Sequence, residues 1–353
     1  MKHVLVDFSH LNDLNGFGEI ARNYAPRLAK TELPGVRYIF VVPDDKVGAF
    51  GDHITYIRRN HKREDLKRLE AHIDLWHATD QQYHMRGGDK TTIQLLTVHD
   101  LNFLREKSGV HKWRHIVQLG WRMRRSDYLT CISRYVRQDI IDHYHLHQVP
   151  LDVIYNGIGA LECGEQQQPA FIDDENEPFF LAIGQVREKK NFQMLVPMMR
   201  YLPGYRLCIC GDDHFAYAQQ LRQQIEREGE GRVVLTGKIT DKEKHWLYAH
   251  AQALLFPSRL EGFGIPVLEA MRFHCKVFSS RLSSLPEVCN IHATYWDHFE
   301  PSYMADVVRQ GVEAWQKNGE AAHQAEKYSK QFNYENYTEQ YTELYMKLLA
   351  KGM

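Results

Sequence analysis

The chain has 353 residues, 43% of them hydrophobic and 25% charged, which is the composition of a soluble globular protein and too much sequence for one core, so two domains are expected. Lys and Arg (44) nearly balance Asp and Glu (45), leaving a formal net charge of −1; this excludes a global field that gathers nucleic acid or acidic lipid, and any anion site must be local. No apolar run reaches the ~18 residues of a membrane span. The direct entry from Met1-Lys2-His3 into Val4-Leu5-Val6 leaves no room for a signal peptide, so a cytoplasmic protein is expected.

In the first half, strand candidates fall at 3–8, 38–42, 75–77, 93–98, 128–132 and 151–155, with amphipathic stretches between them. That alternation is the pattern of βα units around a parallel sheet. After the first strand, Asn15-Gly16-Phe17-Gly18-Glu19 reads as a turn leading into a helix. There Gly16 and Gly18 would let main-chain amides approach a phosphate or an acceptor, and Pro26 would kink the helix or mark where a second begins. His99 follows the apolar run at 93–98 and lies at the mouth of the sheet, either as a site residue or as a loop histidine satisfied by a backbone carbonyl. Trp113, Val117 and Trp121 recur at helical spacing among Lys112, Arg114, Arg122, Arg124 and Arg125. The stripe fits a basic amphipathic helix resting on a membrane, or, as the simpler expectation, one packed into the first domain with its charges in water.

His143, His145 and His147 lack the carboxylates of a metal site and are expected to decorate a helix end before Val149-Pro150. The polar, Gln-rich stretch from Cys163 to Pro169 and the acidic residues 173–177 cannot bury much and read as an interdomain linker. Strand candidates resume at 179–183, 205–210, 232–235, 253–256 and 276–279. The six cysteines (Cys131, Cys163, Cys208, Cys210, Cys275 and Cys289) are scattered, and Cys208 and Cys210 share one face of a strand with no second pair to complete a metal site; all six read as reduced thiols. The last helix, 334–349, carries Tyr337, Tyr341, Leu344, Tyr345 and Leu348 as one apolar and aromatic stripe.

The stretch Pro257-Ser258-Arg259-Leu260-Glu261-Gly262-Phe263-Gly264-Ile265-Pro266-Val267-Leu268-Glu269 is the most chemically explicit. Pro266 suits the first helical position, so a helix is expected to begin near Ile265, and its first-turn amides and positive dipole end make a phosphate site. Gly262 and Gly264 admit a close ligand, and Glu261 and Glu269 place a carboxylate on either side of it. The residues alone leave open an ordinary loop-to-helix junction with two solvated glutamates. In 182–192, Arg187, Lys189 and Lys190 leave the first strand of the second half, where fixed positive charge could stabilise a departing diphosphate.

This segment resembles the E-x7-E signature of the retaining GT-B glycosyltransferases of family 4. Thr97-Val98-His99-Asp100, Asn156-Gly157-Ile158, Val234-Leu235-Thr236-Gly237-Lys238-Ile239 and Ser283-Ser284-Leu285-Pro286-Glu287-Val288 resemble further motifs of that family, in the family's order. The resemblance implies an α/β protein of the GT-B fold, with two Rossmann-like domains facing across a cleft. Its parts would be an acceptor domain at 1–163, a linker at 164–178, a nucleotide-sugar domain at 179–332 and a C-terminal helix, 333–353, crossing back to the first domain.

By the same resemblance Glu269 holds the ribose hydroxyls and the base lies against the backbone of Lys238 and Ile239. Glu261 and the amides of Phe263, Gly264 and Ile265 hold the sugar and phosphate, and Lys190 matches the diphosphate lysine. The family's arginine position holds Gln185 here, and Arg187 is the candidate replacement. His99, Glu261 and Lys190 form the expected catalytic set, and the acceptor enters near Gly16, Gly18 and His99.

No metal or other cofactor is expected. The implied reaction moves a sugar, with retention, from a nucleotide-sugar donor to a hydroxyl of a saccharide or lipid-linked saccharide in surface-polysaccharide synthesis. GDP-mannose is favoured over a UDP-sugar, although no motif separates GDP from UDP. A catalytically silent GT-B binding partner, a sugar-nucleotide epimerase and a glucan synthase are the alternatives. The retained Glu261, Glu269, His99 and Lys190 argue against the first, the E-x7-E in place of an epimerase-like set of acidic residues against the second, and the lack of a glucan-synthase-like N-terminal lysine motif against the third.

Overall fold

Nearly continuous apolar runs make strands that are buried on both faces, which a sheet covered by helices on both sides requires. In the computed structural model, residues 1–351 are described apart from Leu14, 83–87, His147 and 160–165. His147, Cys163 and the first two residues of the expected 164–178 linker therefore lie outside the described residues. The chain divides into two compact units, Met1–Gly159 with Phe332–Met353, and Ala160–Gln331.

In chain order the first unit contains β1 (Lys2–Asp7), α1 (Gly16–Lys30), β2 (Val36–Val42), β3 (Thr55–Arg58), α2 (Lys62–Arg68), β4 (Leu75–Ala78) and β5 (Ile93–Val98). It continues with α3 (Phe103–Glu106), α4 (Gly109–Arg124), β6 (Tyr128–Cys131), α5 (Arg134–His143) and β7 (Leu151–Val153). The strands form one parallel sheet in the order β3-β2-β1-β4-β5-β6-β7. The second unit contains β8 (Phe179–Ile183), α6 (Leu195–Met198), β9 (Arg206–Cys210), α7 (Ala216–Glu228), β10 (Val233–Gly237), α8 (Asp241–His250) and β11 (Ala253–Phe256). Then come α9 (Ile265–Arg272), β12 (Val277–Ser280), α10 (Leu285–Cys289), β13 (Thr294–Trp296), α11 (Pro301–Lys317) and α12 (Gly319–Ser329). Its parallel sheet runs β10-β9-β8-β11-β12-β13. In each sheet the order reverses beside the unit's first strand, between β1 and β4 and between β8 and β11, and the crevice for a ligand lies at the carboxyl ends of those strands.

The last helix, α13 (Tyr334–Lys351), belongs to the first unit and packs on α1 and β4. Its tyrosine stripe is buried, and two of its hydroxyls are paired, Tyr345 with Tyr24 (2.8 Å) and with His77 Nδ1 (2.6 Å), and Tyr341 with Thr97 (2.9 Å) and Thr130 (3.0 Å), whereas the Tyr337 hydroxyl has no hydrogen-bond partner. Burial pushes the His77 imidazole down to about 3, so it is neutral within this network.

Several expectations need correcting. Edge strands β3 and β13 are absent from the list of candidates above. Gly16 and Gly18 lie in the first turn of α1, not in a preceding loop, and α1 runs through Pro26 as one helix. Residues 166–178 belong to the second unit: Gln167 N–H donates to the Lys242 carbonyl at 3.2 Å, and Ile172 is buried. The stripe on α4 is not packed into the first unit, since Trp113 is 64% and Trp121 55% exposed, with Val110 and Val117 also exposed. His143 ends α5, its Nδ1 bonded to the Asp139 carbonyl. Cys131, Cys208, Cys210, Cys275 and Cys289 are buried and form no disulfide, as expected.

Candidate functional site

At the switch point of the second unit, β8 runs into the 184–190 turn and β11 into the 257–264 loop. Gly184 (φ +143°) admits the Lys190 side chain, because a Cβ there would lie 3.1 Å from Lys190 Cε. Lys190 crosses to the neighbouring loop and donates to Glu261 Oε1 at 2.6 Å, with both side chains almost closed off from water. Its ammonium also sits 4.8 Å from the centre of the Phe256 ring. The Lys189 carbonyl anchors the same loop by accepting from Arg259 N–H (2.7 Å) and Ser258 Oγ (3.2 Å). From the other side Ser283 Oγ accepts from Glu261 N–H at 3.0 Å, and Ser284 Oγ reaches the carbonyls of Glu261 (3.1 Å) and Phe263 (2.9 Å). The serines of the Ser283–Val288 motif thus cradle the Glu261 loop, a role that the motif alone does not reveal.

Gly264 caps α9 in the left-handed region (φ +108°), where a Cβ would also meet Leu285 Cδ2 at 2.8 Å, so only glycine fits. Pro266 brings no N–H, and that of Val267 goes to the Gly264 carbonyl (3.2 Å). Ile265 is then the helical residue whose amide remains for an anion. One turn on, Glu269 is buried with Lys244 on Oε1 (2.9 Å) and Tyr248 on Oε2 (2.9 Å), so its carboxylate is fixed before any ligand arrives. Arg187 lies over Phe215, 4.0 Å from the ring centre, and its buried Nε has no hydrogen-bond partner. Such a donor costs about 1–3 kcal/mol until satisfied, which favours an anion beside it. Lys238 is exposed and pairs with Asp212 at 3.2 Å; Ile239 is half-buried beside it.

The first unit has its own charged site at its switch point. A cavity of about 550 Å³ is lined by residues that include Asp7 at the end of β1, His10 beyond it, Arg59 and Lys62 after β3, and Asp80 after β4. His10 lies between two carboxylates, Nδ1 at 2.6 Å from Asp13 and Nε2 at 2.9 Å from Asp80. The hydrogen bond to Asp80 outweighs desolvation and, with the charges of Asp80 and Asp13, raises the imidazole to about 9, so it is an imidazolium at neutral pH. Burial raises the Asp80 carboxyl, but the His10 contact wins and holds it below the ordinary range. Phe17 stands between His10 and His99, its ring centre 5.4 and 4.9 Å from theirs.

His99 is buried, its Nε2 bonds the Thr79 carbonyl at 2.7 Å, and burial lowers its basicity, so the neutral ring keeps Nδ1 as an acceptor. The carbonyl-satisfied arrangement is therefore present, and it orients the ring. Gly18 N–H is taken by the Asn15 side chain (3.1 Å), and a Cβ on Gly18 would lie 1.8 Å from the Asp13 carbonyl. Gly18 thus keeps α1 tight against the Asp13 turn and offers no amide to a ligand, contrary to expectation. His10, Asp13 and Asp80 carry no sequence signal of a site, because only the pairing of β1 with β4 brings Asp80, seventy residues on, to the local His10–Asp13 pair.

Two parallel-sheet Rossmann-like units, each gathering charged side chains at its switch point, define the GT-B class of glycosyltransferase architecture. The chain belongs to the glycosyltransferases of group 1 and family 4: residues 165–332 match the family model "Glycosyl transferases group 1", and residues 20–160 match "Glycosyltransferase Family 4". It is 28% identical over 205 residues to the O-antigen chain mannosyltransferase RfbU of Salmonella typhimurium, covering 57% of this chain and 56% of the relative. It is 31% identical over 169 residues to O-antigen chain mannosyltransferase B of Escherichia coli, covering 45% and 43%. The matched stretches span about half the length of these curated relatives. The fold is similar to that of Anabaena Alr3699/HepE in complex with UDP and glucose, with a TM-score of 0.73 at 18% identity over 98% of this chain and all of that one. No helix among the described residues is long and apolar enough to cross a membrane.

Proposed function

We propose that the protein is a retaining glycosyltransferase that moves mannose from GDP-mannose to a hydroxyl of a saccharide or lipid-linked saccharide in surface-polysaccharide synthesis. The observation that carries this is the buried Lys190–Glu261 pair beneath the N-terminus of α9, at the switch point of the second unit. Lys190, the Ile265 amide and the unpaired Arg187 Nε supply positive charge for the departing diphosphate without a metal. Glu269, held by Lys244 and Tyr248, accepts the ribose hydroxyls, and Glu261 those of the sugar.

In the transfer step the bond from sugar C1 to the phosphate oxygen breaks while the acceptor oxygen attacks the same face. The acceptor's proton passes to the departing phosphate oxygen. The acceptor saccharide binds the charged cavity of the first unit, with the Asp80 carboxylate as a hydroxyl acceptor and the neutral His99 close to Asp80. The names of the two mannosyltransferase relatives support mannose.

A thermal-shift and calorimetry screen of GDP, UDP and their sugars tests the reading, because a ligand bound only by the folded state raises the unfolding temperature. GDP and GDP-mannose should stabilise. A stronger response to UDP overturns the donor assignment, and no response to any nucleotide overturns the reading as a whole.

The lipid-linked alternative for the acceptor rests on α4. Val110, Trp113, Val117 and Trp121 recur at spacings of three and four residues, all exposed, on a helix without an acidic residue that ends in Arg122, Arg124 and Arg125. Such a face lies on an anionic membrane. Sedimentation with anionic vesicles should be lost in a Trp113→Ser/Trp121→Ser variant, and an unchanged bound fraction refutes it.

A further inference from the structure

We propose that His274, His323 and Glu326 of the second unit form a binding site for a divalent transition metal of the zinc type, apart from the residues assigned to transfer. His323 and Glu326 stand three residues apart on one face of α12, and His274 follows the end of α9, which packs against α12. The three ligand atoms lie within 4.8 Å of one another, with His274 Nε2 2.7 Å and His323 Nδ1 3.9 Å from Glu326 Oε2. Donors bound at about 2.0–2.2 Å around a tetrahedral ion sit roughly 3.3–3.6 Å apart. Small rotations close the difference, and both imidazoles are exposed enough to make them.

A second observation points to the same residues. His274 has φ +58°, at a helix end where the left-handed conformation normally selects glycine. A histidine there is strained, and its ring reaches Glu326. Its backbone is pinned in place, N–H to the Met271 carbonyl (3.2 Å) and carbonyl to Trp315 Nε1 (3.3 Å). The donor set of two imidazoles and one carboxylate, with an open fourth position for water, suits zinc, and nickel or copper after it, and is a poor match for magnesium or calcium. The other Glu326 oxygen accepts from Lys330 at 2.5 Å. Lys330 therefore competes for the same carboxylate, and metal and ammonium exclude each other in part. A bound ion would tie α12 to the end of α9, whose first turn carries the Gly264 cap, and stabilise that half of the second unit.

The test uses the full chain without an affinity tag, stripped with chelator and titrated with zinc chloride by calorimetry, beside His323→Ala, Glu326→Gln and Lys330→Ala. One zinc per chain should bind, about tenfold or more weakly in the first two variants and more tightly in Lys330→Ala. Zinc should raise the unfolding temperature of the wild type and much less that of His323→Ala, whose exposed ring leaves the fold intact. Cobalt should show the intense visible bands of four-coordinate geometry. Equal binding by wild type and His323→Ala, or six-coordinate cobalt, means an adventitious ion only and overturns the site.

Discussion

Replacing Lys190 by alanine separates what the Lys190–Glu261 pair does for the fold from what it does for the reaction. The lysine donates to Glu261 at 2.6 Å, and the two side chains are only 11% and 13% exposed. Removing one partner of a buried pair strands the other charge at a cost of about 3–5 kcal/mol, and the remaining access to water puts this one at the low end. Urea unfolding should register that loss, and a Lys190→Ala/Glu261→Gln double variant should recover most of it, because no unpaired charge is left. Turnover should behave differently. With the ammonium gone from the departing diphosphate, the rate at saturating donor should fall about 10²–10³-fold, in the double variant as well as the single one. Lys189→Ala should change little, since Lys189 anchors the loop through its carbonyl, and Arg187→Ala should give an intermediate loss. Near-normal turnover in Lys190→Ala would refute the placement of the diphosphate, whatever the stability data show.

Two further outcomes are expected. Because His10 is raised from 6.5 to about 9 in the folded state, the stability it contributes is complete below pH 6.5 and is lost as pH rises through 9. Urea midpoints across that range should decline in the wild type and flatten in His10→Asn; parallel curves would mean that His10 is not held as an imidazolium. Under the proposed reading, in which Lys190, Arg187 and the start of α9 neutralise the diphosphate, turnover should survive EDTA, although chelation should lower the unfolding temperature through the His274 site. Activity lost in chelator and restored by manganese would sink that assignment.

What was legible in the sequence follows from how each feature is encoded. Central strands such as 93–98 and 253–256 are buried on both faces, so their apolar runs mark them within a residue or two. Thr55–Arg58 and Thr294–Trp296 are short edge strands, half polar, and leave no such run. For α4, periodicity shows that an apolar face exists but not what covers it, and the expected burial is absent from the structure. The start of α9 was readable because Gly264 and Pro266 are local signals. The His10 site was not, because Asp80 becomes its partner only once β1 and β4 have paired.

The tyrosine hydroxyls that join α13 to Tyr24, His77, Thr97 and Thr130 also constrain the order in which the chain can mature. Domains usually fold from the N-terminus as they emerge during synthesis. Here the first unit is discontinuous: its residues up to 159 emerge with the seat of α13 vacant, apolar and unpaired, while the continuous second unit can finish independently. The early-made half must therefore wait for the late-made one, and a released chain cut short after residue 331 would leave a folded second unit tethered to an incomplete, aggregation-prone first.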